Sequence, residues 1–308
     1  MPACSLDLEE DKESPSSRPQ SRARMRPSNL LPFATLSAAI CHHRTSLYAR
    51  SAAEGEVEVA TFGYNDLVGP LNWHGRNNAS SKCATGTHQS PINLNDTSAT
   101  LVPGANLGLD VPAHPDGAVF ENLGSTLEVV AQNGTLTRDG RVYALKQFHF
   151  HTPSEHRVDS EYFPMEVHFV FEADEEANKN STGPAASVVG FLIEVDSAAP
   201  SPFLANVFAH LDEVAEPGSH AETQGLDFCE LKDLLARSDV YQYSGSLTTP
   251  PCTEGIAWNV VAEPLTVDDV TFRAAKRVMK FNSRYTQNVP GEKNLLDHSR
   301  VMLNAMSP

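Results

Sequence analysis

"QFHFHT", residues 147–152, sets two histidines two positions apart with phenylalanines interleaved. Read as a strand, its side chains alternate. Gln147, His149 and His151 then share one face, and Phe148 and Phe150 share the other, toward a core. Two imidazoles on one face are a ready pair of metal ligands, although such pairs taken alone are more often structural. The stretch "MEVHFVFE" (165–172) shifts the balance, because it places His168 on one face with Glu166 and Val170. A connection of about a dozen residues lets this second strand return antiparallel beside the first. Three imidazoles then converge, and three neutral nitrogens leave a fourth tetrahedral position on zinc open, as in a catalytic site. Gln147 and Glu166 each precede a candidate ligand by two residues on its own face. Each is placed to accept a hydrogen bond from the free ring N–H of a ligating histidine.

The rest of the chain fits a strand-rich body. Short apolar runs alternate with Gly, Pro, Asn and Asp: "STLEVVAQ", "VYALKQFHFH", "SVVGFLIEV", "IAWNVVAE". Helical spacing shows in three places, "SPFLANVFAHLDEV", "GLDFCELKDLLARS" and "TVDDVTFRAAKRVMKF", the last opening on a capping-box pattern from Thr266 to Asp269. From about Phe62 onward no linker, repeat or low-complexity break appears. The expectation is a leader over residues 1–52 and one domain over 53–308. The formal charge is −16, and residues 1–52 hold seven basic and five acidic side chains, so the remainder carries −18. An acidic body argues against nucleic acid or an anionic membrane surface as partner.

The leader divides in two. Residues 1–24 are polar and poor in aromatics. From Met25 a basic start precedes a short apolar run, Leu30–Ile40, too short to span a membrane and similar to a secretory signal. "SLYARSA" beyond it offers a cleavage site near residue 50, and Met25 is a candidate true start. Four N-x-[ST] triplets, at Asn78, Asn95, Asn133 and Asn180, agree with secretion to the extracellular space or cell wall and with glycosylation.

Two families compete for the histidines. His149-x-His151-x3-Glu155 matches the first metal motif of cupins, which implies a jelly roll with Glu155 as a fourth ligand. The second cupin motif, with Gly and Pro before its histidine and Asn after it, is missing from "FPMEVHFVF". The run "SGSLTTPPC" (244–252), with "QSPINL" (89–94), "QFHFH", "SEH" (154–156), "EVHFV" and Trp258, resembles the α-class carbonic anhydrases. These motifs follow the family's order and span roughly Tyr64 to Gln287.

The resemblance implies a mainly β, single-domain fold: a large, twisted, mostly antiparallel central sheet with short peripheral helices. It implies a zinc enzyme (Zn2+ on His149, His151 and His168) that reversibly hydrates carbon dioxide to bicarbonate and a proton by zinc-bound hydroxide attack. Thr248 becomes the gatekeeper hydroxyl and Glu155 its acceptor, with Thr249 beside the departing bicarbonate. Gln147, Glu166 and Asn282 support the ligands. Val170, Val188, Leu247, Ile256 and Trp258 form the apolar wall for substrate. Partners reduce to the small-molecule substrate, with no nucleic acid and no membrane span, and with monomer or homodimer left open. Cys83 and Cys252 match the single disulfide of secreted members, which leaves Cys229 as a free thiol buried in a helix. Arg284 and Gln287 match structural positions.

One departure is chemical. The family's Asn-x-Gly-His run, whose histidine carries protons to solvent, reads "NLGS" here, so Ser125 stands at the proton-shuttle position. A hydroxyl cannot store a proton near neutrality as an imidazole can. Glu128, three residues on, is a weak substitute. His74, His88 and His156 carry no partner pattern and are expected on the surface or in satisfied structural roles. A zinc-free binding module of the same fold is the non-enzymatic alternative; such members lack the ligand histidines, and all three are present here.

Overall fold

The computed structural model describes residues 57–306, apart from 132, 175–177 and 179–181. The leader readings and the Asn180 triplet lie outside the described residues. The strands in chain order are β1 (Asn93–Leu94), β2 (Thr100–Pro103), β3 (Gly108–Asp110), β4 (Val119–Asn122), β5 (Leu127–Val130), β6 (Thr135–Arg138) and β7 (Arg141–His151). They continue with β8 (Arg157–Val158), β9 (Glu161–Tyr162), β10 (Met165–Ala173), β11 (Ala186–Val195), β12 (His220–Glu222), β13 (Asp239–Ser246) and β14 (Glu254–Val267). Among the described residues six α-helices accompany them: α1 (Trp73–Arg76), α2 (Lys82–Thr85), α3 (Pro202–Val207), α4 (Cys229–Arg237), α5 (Asp269–Met279) and α6 (Leu295–Met306).

Eleven strands form one sheet, in the order β12-β4-β5-β7-β10-β11-β14-β13-β2, with β6 also paired to β7 and β3 to β6. Every neighbouring pair along that path is antiparallel except β11 with β14. The expected mostly antiparallel sheet with short helices outside it is therefore present, and it is not a jelly roll.

The phenylalanines supply the adhesive face. Phe148, Phe150, Phe169, Phe171 and Phe191 point to a core that also takes Phe203, Phe208 and Phe228. Phe148 and Phe169 stack at 4.6 Å between ring centroids. Fully burying one such side chain stabilises the fold by about 1.5–3 kcal/mol, so this face fixes which side of β7 and β10 turns inward. Their alternate residues must then face the other way, into the cleft.

Three expectations need correction. The capping residue of α5 is Asp268, whose side chain accepts from the N–H groups of Val270 and Thr271; Thr266 belongs to β14, which runs on to Val267. The helix α6 was not anticipated, because its apolar residues Val301, Met302 and Leu303 are exposed rather than gathered on a buried stripe. Cys229 opens α4 half-buried and is disulfide-bonded rather than free. Among the described residues no helix is long and apolar enough to cross a membrane.

Candidate metal centre and active site

The register of two strands builds the centre. His149 on β7 stands directly opposite His168 on β10, and His151 opposite Glu166. One ligand nitrogen from each of His149, His151 and His168 lies within 4.8 Å of the others, and all three residues are buried. Glu155 is outside that trio, with its Oε2 3.6 Å from His151 Nε2 and 3.9 Å from His168 Nδ1, and the sheet is not the jelly roll that the cupin assignment implied.

Each imidazole is tied by one nitrogen and open at the other. His149 Nδ1 is 2.9 Å from Gln147 Oε1. His151 Nδ1 is 2.8 Å from the main-chain oxygen of Asn282. His168 Nε2 is 2.8 Å from Glu166 Oε1. Each partner is an acceptor, so the tied nitrogen carries the proton and the other presents a lone pair. His149 Nε2, His151 Nε2 and His168 Nδ1 are thereby left as the nitrogens that could hold a metal ion. His151 Nε2 is buried without a hydrogen-bond partner, an arrangement that costs free energy unless something occupies the site.

The electrostatics favour neutral imidazoles. Burial pushes His149 well below the usual histidine range, with the neighbouring His151 and His168 adding to the effect. Burial likewise takes His151 down to about 4 and lowers His168, although Glu166 pulls the latter back. Burial opposes ionisation of Glu166, yet His156 and His168 outweigh it and hold its carboxyl well below the usual range. Its Oε2 accepts the N–H groups of Glu155 and His156, and its Oε1 those of His156 and His168.

These shifts predict acid lability in the metal-free protein. An imidazole held neutral in the fold but free to charge when unfolded favours unfolding below its ordinary value, about 6.5. For His151 alone, a folded value of about 4 removes about 3 kcal/mol of stability by the time pH reaches that value. His149, His168 and Glu166 act in the same direction. Glu155, raised to about 7 by burial, acts the other way. The melting temperature of metal-free protein should fall steadily from pH 6.5 to 4.5 in calorimetry; a flat profile would contradict neutral buried imidazoles.

The cleft above the trio is lined on one side by Val170, Val188, Leu247 and Trp258. Val170, Val188 and Trp258 form one row across β10, β11 and β14 by direct register. Ile256 packs within the same apolar cluster but does not reach the cleft lining, one pleat too far along β14. Tyr64, Ser125, Glu128, Thr248 and Thr249 complete the walls. Glu128 faces His149 across β5–β7 and Glu121 across β4–β5, and both carboxyls are buried.

Thr248 lies on the loop between β13 and β14, near Glu155. Burial pushes the Glu155 carboxyl up to about 7, while His168, the Arg284 N–H and the Thr248 hydroxyl pull it down. Glu155 Oε1 accepts from Arg284 N at 2.8 Å. Its Oε2 has no well-formed hydrogen bond and lies 3.6 Å from His151 Nε2. Asn282 supports the ligands through its backbone oxygen, while its side chain ties Thr152 N, Phe150 O and Ser125 O together. Cys83 and Cys252 are joined as expected, with Cα atoms 5.1 Å apart.

His74 and His88 are exposed, and His156 takes the other expected place, a satisfied structural role. It is fully buried, 2.7 Å from Glu166 Oε1 through Nδ1 and 2.7 Å from Tyr243 OH through Nε2; Tyr243 in turn donates to Ser90 Oγ. Ser90 lies within the motif "QSPINL" and Tyr243 immediately precedes "SGSLTTPPC", which was the available signal. Arg284 is also more than a structural position, since its backbone N–H holds Glu155.

Comparison with known proteins agrees with this geometry. Residues 68–304 match the family described as eukaryotic-type carbonic anhydrase. The chain is similar to the carbonic anhydrase of Neisseria gonorrhoeae, 36% identical over 202 residues, covering 65% of this chain and 73% of that protein. It is similar to the carbonic anhydrase of Pectobacterium atrosepticum, 32% identical over 232 residues, covering 72% of this chain and 82% of that protein. The fungal α-carbonic anhydrase structure from Aspergillus oryzae superposes with a TM-score of 0.72 at 43% identity, covering 78% of this chain and 99% of that one. Three inward imidazoles at the centre of this sheet, and a match along most of the described residues, make one statement: the chain belongs to the eukaryotic-type, α-class carbonic anhydrase family.

Proposed function

We propose that this enzyme hydrates carbon dioxide reversibly at a zinc ion held by His149 Nε2, His151 Nε2 and His168 Nδ1. The observation that carries the reading is the trio itself: three buried neutral imidazoles, each tied by its other nitrogen, with His151 Nε2 otherwise orphaned. Three nitrogen donors and an open cleft fit a catalytic zinc site. Zinc, when bound, supplies a water acidic enough to deprotonate near neutral pH, the value of about 7 being that of carbonic anhydrases as a class.

The chain's own residues do the rest. Gln147, Glu166 and the Asn282 carbonyl fix the tautomer and tilt of each imidazole. The Thr248 hydroxyl accepts a hydrogen bond from the attacking oxygen and donates its proton to ionised Glu155, so a lone pair points at substrate. Val170, Val188, Leu247 and Trp258 hold apolar carbon dioxide without offering it a hydrogen bond, with Ile256 packed behind them. Thr249 contacts bicarbonate as it leaves.

Proton export is the slow point of this reading. Ser125 cannot take up a proton near neutrality, and Glu128 on the cleft wall is only a weak carrier. Stopped-flow hydration by zinc-loaded protein should climb as an imidazole-type buffer is added. Ser125→His should raise turnover in weak buffer several-fold. Fast, buffer-independent hydration by the unaltered enzyme would assign the shuttle elsewhere, and no hydration with one zinc bound would overturn the function.

We also propose secretion. A disulfide suits an oxidising compartment. Asn78 and Asn133 are exposed acceptor positions. Asn95 is half-buried, with its Oδ1 already accepting from Thr97 and Ser98, and is a poorer one. Glycopeptide mass spectrometry distinguishes them.

A further inference from the structure

The loop that carries Thr248 and Thr249 has little holding it from within. β13 ends at Ser246 and β14 begins at Glu254. Between them the backbone bonds are Leu247 N to Thr253 O and Cys252 N to Thr249 O. The loop's outer end is therefore set by what it is attached to, which is the segment from α2 to Ser90. One attachment is covalent, Cys83 to Cys252. The other is polar: Glu254, which holds His88 N and Gln89 Nε2, together with the bond that Gln89 Nε2 gives Cys252 O.

The Glu254 side chain is 20% exposed. Its Oε1 accepts the His88 N–H at 2.6 Å and Gln89 Nε2 at 3.3 Å, and its Oε2 lies 3.4 Å from Lys82 Nζ. Burial pushes the carboxyl up, but these three donors outweigh it and hold it below the usual range. Gln89 Nε2 also donates to Cys252 O at 3.0 Å, and Gln89 Oε1 accepts from Arg284 Nη2 at 2.9 Å. Arg284 is fully buried and gives its backbone N–H to Glu155 Oε1. One continuous set of contacts thus runs from Glu254 through Gln89 and Arg284 to Glu155, the partner assigned to Thr248.

We infer that Glu254 is a positioning residue for the hydration reaction, a charged latch that holds the Thr248 loop in register with Glu155 in parallel with the disulfide. The inference rests on the hydration reading above. Because two latches share one load, loss of either is partly covered by the other. Loss of both lets the loop drift, and the effects multiply beyond independence. A misplacement of about 1 Å at such a group costs on the order of a hundredfold in rate.

The test compares four zinc-loaded full-length proteins: unaltered, Glu254→Ala, Cys83→Ser with Cys252→Ser, and the triple variant. All are assayed in saturating imidazole buffer well below the lowest melting temperature. The disulfide-free protein should lose about threefold in kcat/KM, Glu254→Ala about tenfold, and the triple variant at least 300-fold. Zinc content should stay at one in every variant. Turnover in weak buffer, limited by proton export, should barely move in Glu254→Ala, a split that mere destabilisation does not produce. Glu254→Gln, which keeps an acceptor for His88, should recover part of the loss. Amide exchange at Leu247 and Cys252 should rise about tenfold in Glu254→Ala. Unchanged kcat/KM with unchanged exchange, or a triple variant equal to the product of its parts, would overturn the latch. If the unaltered enzyme with one zinc hydrates nothing, the hydration reading fails, and the exchange rates still decide whether Glu254 holds the loop.

Discussion

His151→Ala should strip the protein of zinc and take carbon dioxide hydration to the uncatalysed background. Its Nε2 is the buried donor with no other partner, between two imidazoles whose outer nitrogens are already committed. A protein zinc site is worth about 10–16 kcal/mol over its ligands, so one donor of three or four carries about 3–4 kcal/mol. That corresponds to a loss of two to three powers of ten in affinity. Gln147→Ala removes only the acceptor that orients His149, and about ten- to a hundredfold is expected there. Native mass spectrometry after dialysis against a graded chelator reads both. The order matters as much as the size: His151→Ala must lose metal at far lower chelator than Gln147→Ala. A His151→Ala protein that keeps one zinc and hydrates carbon dioxide would remove His151 from the ligand set.

Part of this site was legible from alternation alone. The period of two in "QFHFH" and "MEVHFVFE" placed all three imidazoles, Gln147, Glu166 and Val170 on one sheet face, because Phe148, Phe150 and Phe169 need a core. Register is not written in a strand, so the direct pairing of His149 with His168 and of His151 with Glu166 had to come from the fold. His156 escaped because it stands on a connecting segment, and only the folded turn brings it onto Glu166. Ile256 has the same parity as Trp258, and parity does not say how far along β14 the cleft reaches. The hold of Arg284 on Glu155 is a backbone N–H, which every residue type but proline would supply. The large fold followed from the resemblance of a few loops, and its sheet order from nothing local.

Thr248→Ala should lower kcat/KM about a hundredfold to a thousandfold with zinc fully retained, since one oriented hydrogen-bonding group at a reacting oxygen commonly carries that much. The direction of its hydrogen bond is what counts. Glu155 can only accept when ionised, and an accepting carboxylate forces the Thr248 hydroxyl to spend its single proton on it. Thr248 then has only lone pairs to offer the attacking oxygen. Without metal, burial places Glu155 at about 7; a divalent cation among the three imidazoles lowers it further and secures the ionised form at neutral pH. Glu155→Gln reverses this logic while barely changing shape, because an amide can donate to Thr248 and free the threonine proton to point at the attacking oxygen. Its loss should approach that of Thr248→Ala. The two residues act as one unit, so the double variant should be about as slow as the slower single one, not slower by their product. Multiplicative losses would mean that Glu155 acts on the ligand imidazoles directly, 3.6 Å from His151 Nε2, and not through Thr248.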